Sequence, residues 1–213
     1  GPAYASPALM TVADTKLILA ETEKSIVALQ LADGKLAWET PFAAQGMSYN
    51  AATPIVDGQT LIYCGQGRGA KAVKIEKQGD SFTGKELWSN PDNSVQFNTP
   101  VLKNGLLVGM SQRGDFFCIN AQDGKTAWTA PSTPPAAGAE AAGGGGGRGG
   151  RGRGGYGSVV DAGSVMLALT PASELIAFQP SDKAYTELAR IKVANTATYA
   201  YPVVSGKRIF VQD

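Results

Sequence analysis

The five residues at 34–38, GKLAW, recur with small changes at 84–88 (GKELW) and at 124–128 (GKTAW). The last residues of these segments are all the tryptophans of the chain, and each stands four positions after a Gly. Such regular placement indicates an internal repeat, which decides the fold before any other feature is considered.

A second element opens each repeat unit. It consists of a hydroxyl-bearing residue, a proline and two apolar residues, and it precedes each Trp segment. The openings lie at residues 6–9 (SPAL), 53–56 (TPIV), 99–102 (TPVL) and 201–204 (YPVV), with a weaker form lacking the proline at 158–160 (SVV). Five unit starts are therefore visible.

Short apolar runs separated by turn residues fill the space between opening and tryptophan. Asp57-Gly58 and Asn104-Gly105 lie between such runs. Both pairs predict tight hairpins, because the two central residues of a type I′ turn need positive φ. Outside the Gly-rich segment no helical period is sustained over ten or more residues. The sequence therefore predicts an all-β chain with four antiparallel strands per unit.

Four-stranded units that recur at roughly 40 to 50 residues are typical of a β-propeller, in which each blade packs on the next. A Trp on the outermost strand of a blade is expected to be buried between blades. We predict about four blades plus the first strands of a fifth, all in one propeller domain. Residues 1–130 form blades one to three in this interpretation, and residues 158–213 form blade four and the start of blade five.

The segment 131–157 between these parts is rich in Pro, Ala and Gly and carries Arg148, Arg151 and Arg153. It has too few apolar side chains to offset the entropy cost of ordering, so a disordered inserted loop is predicted. A solvated linker is the favoured role. The alternative is a contact with RNA, through phosphate charge and Arg stacking.

Composition excludes several function classes. The 213 residues contain 19 basic and 18 acidic side chains, two cysteines and no histidine. A His-dependent catalytic triad and a His-ligated metal are thus excluded within this chain. No apolar run approaches the roughly 20 residues that a membrane helix needs. The pattern GQGRGA at 65–70 resembles a dinucleotide loop, but alternating residues follow it instead of a helix, so a hairpin turn is predicted.

The repeats resemble the pyrroloquinoline-quinone-like (PQQ-like) propeller repeats of quinoprotein dehydrogenases and of the BamB-type lipoprotein of outer-membrane assembly. The family's blade-docking motif is Ala-x-Asp-x-x-Thr-Gly-x-x-x-Trp. An insertion near residues 79–81 displaces the Ala of unit two, and unit four keeps only Ala177. The matching positions are Ala28, Gly34 and Trp38; Ala72, Gly84 and Trp88; and Cys118, Gly124 and Trp128.

The resemblance implies a longer propeller of seven or eight blades, of which this chain is a fragment whose missing blades are partners. It also implies a periplasmic or otherwise exported location. A non-catalytic scaffold for an unknown protein partner is the leading function, with no catalytic, metal-binding or cofactor-binding residues assigned. The alternative is a piece of a quinoprotein dehydrogenase holding PQQ with calcium. Those enzymes use adjacent cysteines, whereas Cys64 and Cys118 are far apart in the sequence and are expected to be buried thiols.

Overall fold

The computed structural model describes residues 3–44, 46, 48–133 and 156–213, and all the regular elements in these ranges are β-strands. The strands pair antiparallel in chain order, giving four sheets of four strands and one sheet of two. Sheet 1 contains β1 (Ala8–Val12), β2 (Thr15–Glu21), β3 (Ser25–Gln30) and β4 (Leu36–Pro41); sheet 2 contains β5 (Ile55–Asp57), β6 (Thr60–Gly65), β7 (Gly69–Gln78) and β8 (Ser81–Asn90).

Sheet 3 contains β9 (Val101–Lys103), β10 (Leu106–Met110), β11 (Phe116–Asn120) and β12 (Thr126–Ala130); sheet 4 contains β13 (Ser158–Asp161), β14 (Met166–Leu169), β15 (Glu174–Phe178) and β16 (Glu187–Lys192); sheet 5 contains β17 (Val203–Ser205) and β18 (Arg208–Phe210). The predicted all-β architecture of four-stranded antiparallel units is confirmed. The predicted loop at 131–157 falls mostly outside the described residues, and its disorder stays a prediction.

The hydrophobic core is divided into three seams, each between two consecutive sheets. Strand β6 shows how one strand serves two seams: Leu61 and Tyr63 belong to the first, whereas Ile62 and Cys64 belong to the second. Successive side chains of a strand point to opposite faces, so a sheet covered on both sides needs a continuous apolar run. This explains why the middle strands carry runs of consecutive apolar residues, such as those at 61–64 in β6.

The first strands of neighbouring sheets lie side by side, since β1 contacts β5 and β9 contacts β13. The opening of each unit therefore lies on the inner side of the assembly, where the sheets converge. Sheet 5 differs from the others because every residue of its two strands is exposed. Within the described residues, no helix is long and apolar enough to cross a membrane.

Two local predictions need correction. Asn104 and Gly105 both have positive φ, as the predicted type I′ turn requires. At the corresponding turn of sheet 2, however, Asp57 pairs with Thr60, so it is the last residue of its strand and not a central residue of the turn. The central pair there begins at Gly58 with positive φ, the pattern of a type II′ turn. The insertion near residues 79–81 lengthens the hairpin of β7 and β8 and leaves Ala72 in place opposite its Trp.

Candidate functional site

The tryptophans of the repeat lie on the last strand of one sheet and contact the next sheet, Trp38 at strand β8 and Trp88 at the turn between β11 and β12. A Cβ placed on Gly84 would come within 2.5 Å of the Nε1 atom of Trp38, and one on Gly124 within 2.7 Å of the ring of Trp88. The indole N–H of Trp88 also donates to the carbonyl of Ala121, at 2.8 Å. Each Gly thus lets the ring of the preceding sheet lie flat against backbone.

Trp128 packs on sheet 4 against residues other than a Gly. The indole N–H of Trp128 donates to the Ser181 carbonyl at 2.7 Å, and the ring lies 5.8 Å from that of Tyr185. Trp128 is half-buried, whereas Trp88 is only 6% exposed. Unit four matches the family motif only weakly. It still provides a backbone acceptor for the indole N–H, but the ring contacts Tyr185 where the other units have a Gly.

The small residues of the motif stand opposite the tryptophans within the same sheet. The pairs are Ala28 with Trp38, Ala72 with Trp88 and Cys118 with Trp128, and all three small residues are fully buried. In sheet 4 the corresponding pair is Ala177 with Ala189, so Ala189 occupies the Trp position. A Cβ placed on Gly34, in the first sheet, would meet no described atom within 4 Å.

The two cysteines are free and buried, in different seams. Burial raises the pKa of the Cys64 thiol well above its usual range and raises that of Cys118 to about 11. Because the thiolate is the reactive form, we expect both thiols to react slowly in the folded chain.

A cavity of about 530 Å³ opens where the units begin. The described residues around it carry hydroxyl, aromatic or methyl side chains and no formal charge; they are Tyr4, Ser6, Ala51, Thr53, Phe97, Thr99 and Tyr201. Such a lining offers no carboxylate to calcium and no cation to the three carboxylates of PQQ. The described lining therefore does not fit that cofactor. Among the described residues, no group of three or more His, Cys, Asp or Glu side chains is placed to hold a metal ion.

A directional series of hydrogen bonds links the unit openings beside this cavity. The backbone N–H of Ser6 donates to Thr53 Oγ1 at 3.4 Å, and that of Thr53 donates to Thr99 Oγ1 at 2.8 Å. The N–H of Thr99 then donates to the phenol oxygen of Tyr201 at 2.7 Å. The openings at 6–9, 53–56, 99–102 and 201–204 are thus linked through hydroxyl oxygens that act as acceptors.

Five aromatic rings form a continuous series along the same inner edge, which we call the aromatic arc: Tyr4, Tyr49, Phe97, Tyr156 and Tyr199. Successive ring centres are 5.4, 6.4, 4.5 and 5.9 Å apart. The four tyrosines are between 37% and 69% exposed, and Phe97 is half-buried. Each ring comes from the segment that leads into the first strand of its sheet.

Sequence reasoning missed this arc, although a signal was present. Three of the rings stand three positions before the proline of an opening: Tyr4 before Pro7, Phe97 before Pro100 and Tyr199 before Pro202. An exposed aromatic at a fixed place in a repeat is a stronger indication of function than one exposed aromatic elsewhere on the surface.

A buried polar cluster lies at the seam of sheets 1 and 2. Glu21 is 3% exposed, and within the described residues neither of its carboxylate oxygens accepts a hydrogen bond. Burial raises its pKa to about 8, against the opposing charge of Arg68. The guanidinium of Arg68 instead donates to the Phe42 carbonyl and to the Asn50 amide oxygen. Arg68 belongs to the GQGRGA segment, which forms the turn between β6 and β7.

These sheets, seams and Trp contacts define a β-propeller protein built from PQQ-like repeats. A family model described as outer membrane protein assembly factor BamB matches residues 2–130, and the chain belongs to this family. No curated protein sequence is similar enough to count as a relative.

Solved structures extend the likeness to the whole chain. BamB from Moraxella catarrhalis has 14% identity and a TM-score of 0.66, covering 100% of this chain and 56% of that one. The computationally designed protein Ika8 has 11% identity and a TM-score of 0.62 (95% and 54% covered), and AztD from Citrobacter koseri has 15% and 0.53 (90% and 48%). The chain spans about half the length of these three proteins.

Proposed function

We propose that this chain is a non-catalytic scaffold that binds another protein through the inner edge of the propeller. The aromatic arc is the observation that carries the proposal. A contiguous row of exposed rings leaves apolar surface in water, and such patches mark interaction sites. Tyrosine is also among the residues that dominate binding energy at protein interfaces.

The chemistry of the cavity and the family of the chain also support a scaffold function. The uncharged cavity beside the arc contains hydroxyl groups and no acid-base pair among its described lining residues. The family model is described as an assembly factor of outer membrane proteins, and we propose by analogy an exported location and an assembly role.

Site-specific photo-cross-linking tests the scaffold function. The cross-linker p-benzoylphenylalanine is placed at Tyr199 on the arc and, as a control, at Leu36, an equally accessible residue on the outer strand β4. In cells that produce the protein, we expect a discrete adduct with one protein from position 199 and none from position 36. Equal adducts from both positions, or none from 199, would contradict the proposal.

A titration with PQQ separates the scaffold from the quinoprotein alternative. We expect no stoichiometric complex by calorimetry in the presence of calcium, because the described cavity lining carries no charge to meet the cofactor. Micromolar binding, about −8 kcal/mol, would favour the enzyme.

The RNA alternative depends on residues 131–157, most of which lie outside the described residues. An RNA-binding assay that compares the chain with a form lacking Arg148, Arg151 and Arg153 tests it.

A further inference from the structure

We infer that the aromatic arc binds a proline-rich segment in the polyproline II conformation. This inference rests on the proposed scaffold function and names the chemistry of the partner. Proline offers a flat apolar ring and a carbonyl acceptor but no N–H donor. A surface that recognises it should therefore present aromatic rings and hydrogen-bond donors, and should not require donors from the ligand.

The hydroxyl groups beside the arc meet this requirement. Thr53 Oγ1 and Thr99 Oγ1 each accept a backbone N–H, and the phenol oxygen of Tyr201 accepts the backbone N–H of Thr99. A hydroxyl has one proton and two acceptor sites. Each of these hydroxyl groups accepts a backbone N–H and keeps a proton of its own, with which it can donate a hydrogen bond in the cavity that it lines.

Charge also favours a proline-rich ligand over a nucleic acid. Single-stranded nucleic acids stack on aromatic rings as well, but their sites combine the rings with a positively charged groove. The described residues of the arc and of its cavity carry no formal charge, and Arg113, which lines a neighbouring cavity with Tyr156, does not by itself make a positively charged groove. An uncharged backbone with exposed carbonyl groups matches this surface better than a chain of phosphates does.

The arc has the length of a short peptide. The four steps between ring centres add up to about 22 Å, which corresponds to about seven residues of polyproline II at 3.1 Å per residue. A ten-residue peptide therefore covers the whole arc. Because this helix is largely preformed in proline-rich chains, little conformational entropy is lost on binding.

The backbone at the centre of the arc supports a binding role. Phe97 has φ of +50°, a left-handed conformation that is rare and costly for a bulky residue. Its ring contacts those of Tyr49 and Tyr156 and also faces the cavity. Strain of this kind is found at ligand-binding sites, where the surrounding structure holds the residue in position.

Calorimetric titration with a blocked decaproline peptide tests the inference, with a Gly-Ser decapeptide as the control ligand. We expect saturable binding of decaproline only. Tyr49→Ala and Tyr199→Ala should each weaken it about fivefold, because a stacked aromatic contact is lost. Leu36→Ala, a matched loss of an exposed apolar side chain on β4, should leave the affinity unchanged.

Thermal melts ensure that these variants are folded, and Tyr49→Leu and Tyr199→Leu provide a second pair that keeps apolar bulk without the aromatic ring. Failure of decaproline to bind, equal binding of the Gly-Ser peptide, or binding of oligouridine or a neutral oligosaccharide in its place would overturn the inference. If decaproline fails while the cross-link at Tyr199 persists, the scaffold function stands and only the ligand assignment is wrong.

Discussion

Gly34 and Gly124 provide a matched pair for testing whether the tryptophans join the blades. Both belong to the Gly-Lys pair of their repeat, and both have a backbone φ of +73°. They differ in surroundings: a Cβ on Gly124 would lie 2.7 Å from the ring of Trp88, whereas one on Gly34 would meet no described atom within 4 Å. Substitution by Ala therefore separates backbone strain from the contact between sheets.

The expected costs follow from these two environments. Gly34→Ala should lower the free energy of unfolding by about 1 to 2 kcal/mol, because a residue with a Cβ is held in the left-handed region. Gly124→Ala should carry the same cost plus about 1 to 3 kcal/mol for overpacking against Trp88. If the ring moves away, its hydrogen bond to Ala121 is lost as well, at about 1 kcal/mol.

Urea unfolding of both variants measures these differences, since at a constant slope the shift in midpoint reports the change in stability. A double-mutant cycle supplies the control. In a Trp88→Leu background, Gly124→Ala should cost no more than Gly34→Ala does, because the flat ring is gone. Equal costs for the two Gly substitutions in the original sequence would refute the docking role of the tryptophan.

Three further predictions concern buried polar groups. Glu21 has a pKa raised from 4.5 to about 8 in the folded chain, so its contribution to stability is fully present below about pH 4.5 and is lost, by a few kcal/mol, as the pH rises to about 8; Glu21→Gln should remove this part of the pH profile in urea midpoints measured across that range. Asn90 is 4% exposed, and its side-chain amide donates at 2.8 Å to the Gly124 carbonyl of the next sheet. Asn90→Ala should therefore lower the free energy of unfolding by about 2 to 3 kcal/mol in urea. An unshifted midpoint would show that this hydrogen bond adds nothing to stability. Cys64 and Cys118 should react with iodoacetamide in urea but not in the folded chain at pH 8, as mass spectrometry would show; rapid labelling of the folded chain would mean that the seams open readily.

The repeat made much of the fold predictable. Gly, Trp and the hydroxyl-Pro openings recur because each sheet must solve the same packing problem, so a few residues per unit predict strand number and order. The small residues opposite the tryptophans were also recognisable, although the insertion in unit two concealed the position of Ala72. Pairing of Ala72 with Trp88 depends on the register of two long strands, and sequence spacing does not report that register.

Other features depend on contacts between units and could not be derived from one unit. Glu21 ends a strand in which buried and partly buried residues alternate, and its own burial results from the neighbouring sheet that covers it. The position of Ala189 in place of a Trp became clear only from its pairing with Ala177. In both cases the decisive contact joins residues whose separation in the chain carries no recognisable pattern.

The aromatic arc shows how a repeat can build a binding surface from a residue that has little effect alone. A single exposed tyrosine is ordinary on a protein surface and gains little from any ligand. Because the first strands of the sheets converge, however, residues from the segments that lead into these strands become neighbours, and Tyr4 lies 5.4 Å from Tyr49 although 45 positions separate them. The same repetition that buries Trp88 on the outer strands thus concentrates exposed rings on the inner edge. A ligand with its own repeat, such as polyproline II, can contact such a row at several points, and the total affinity then depends on how many rings it reaches.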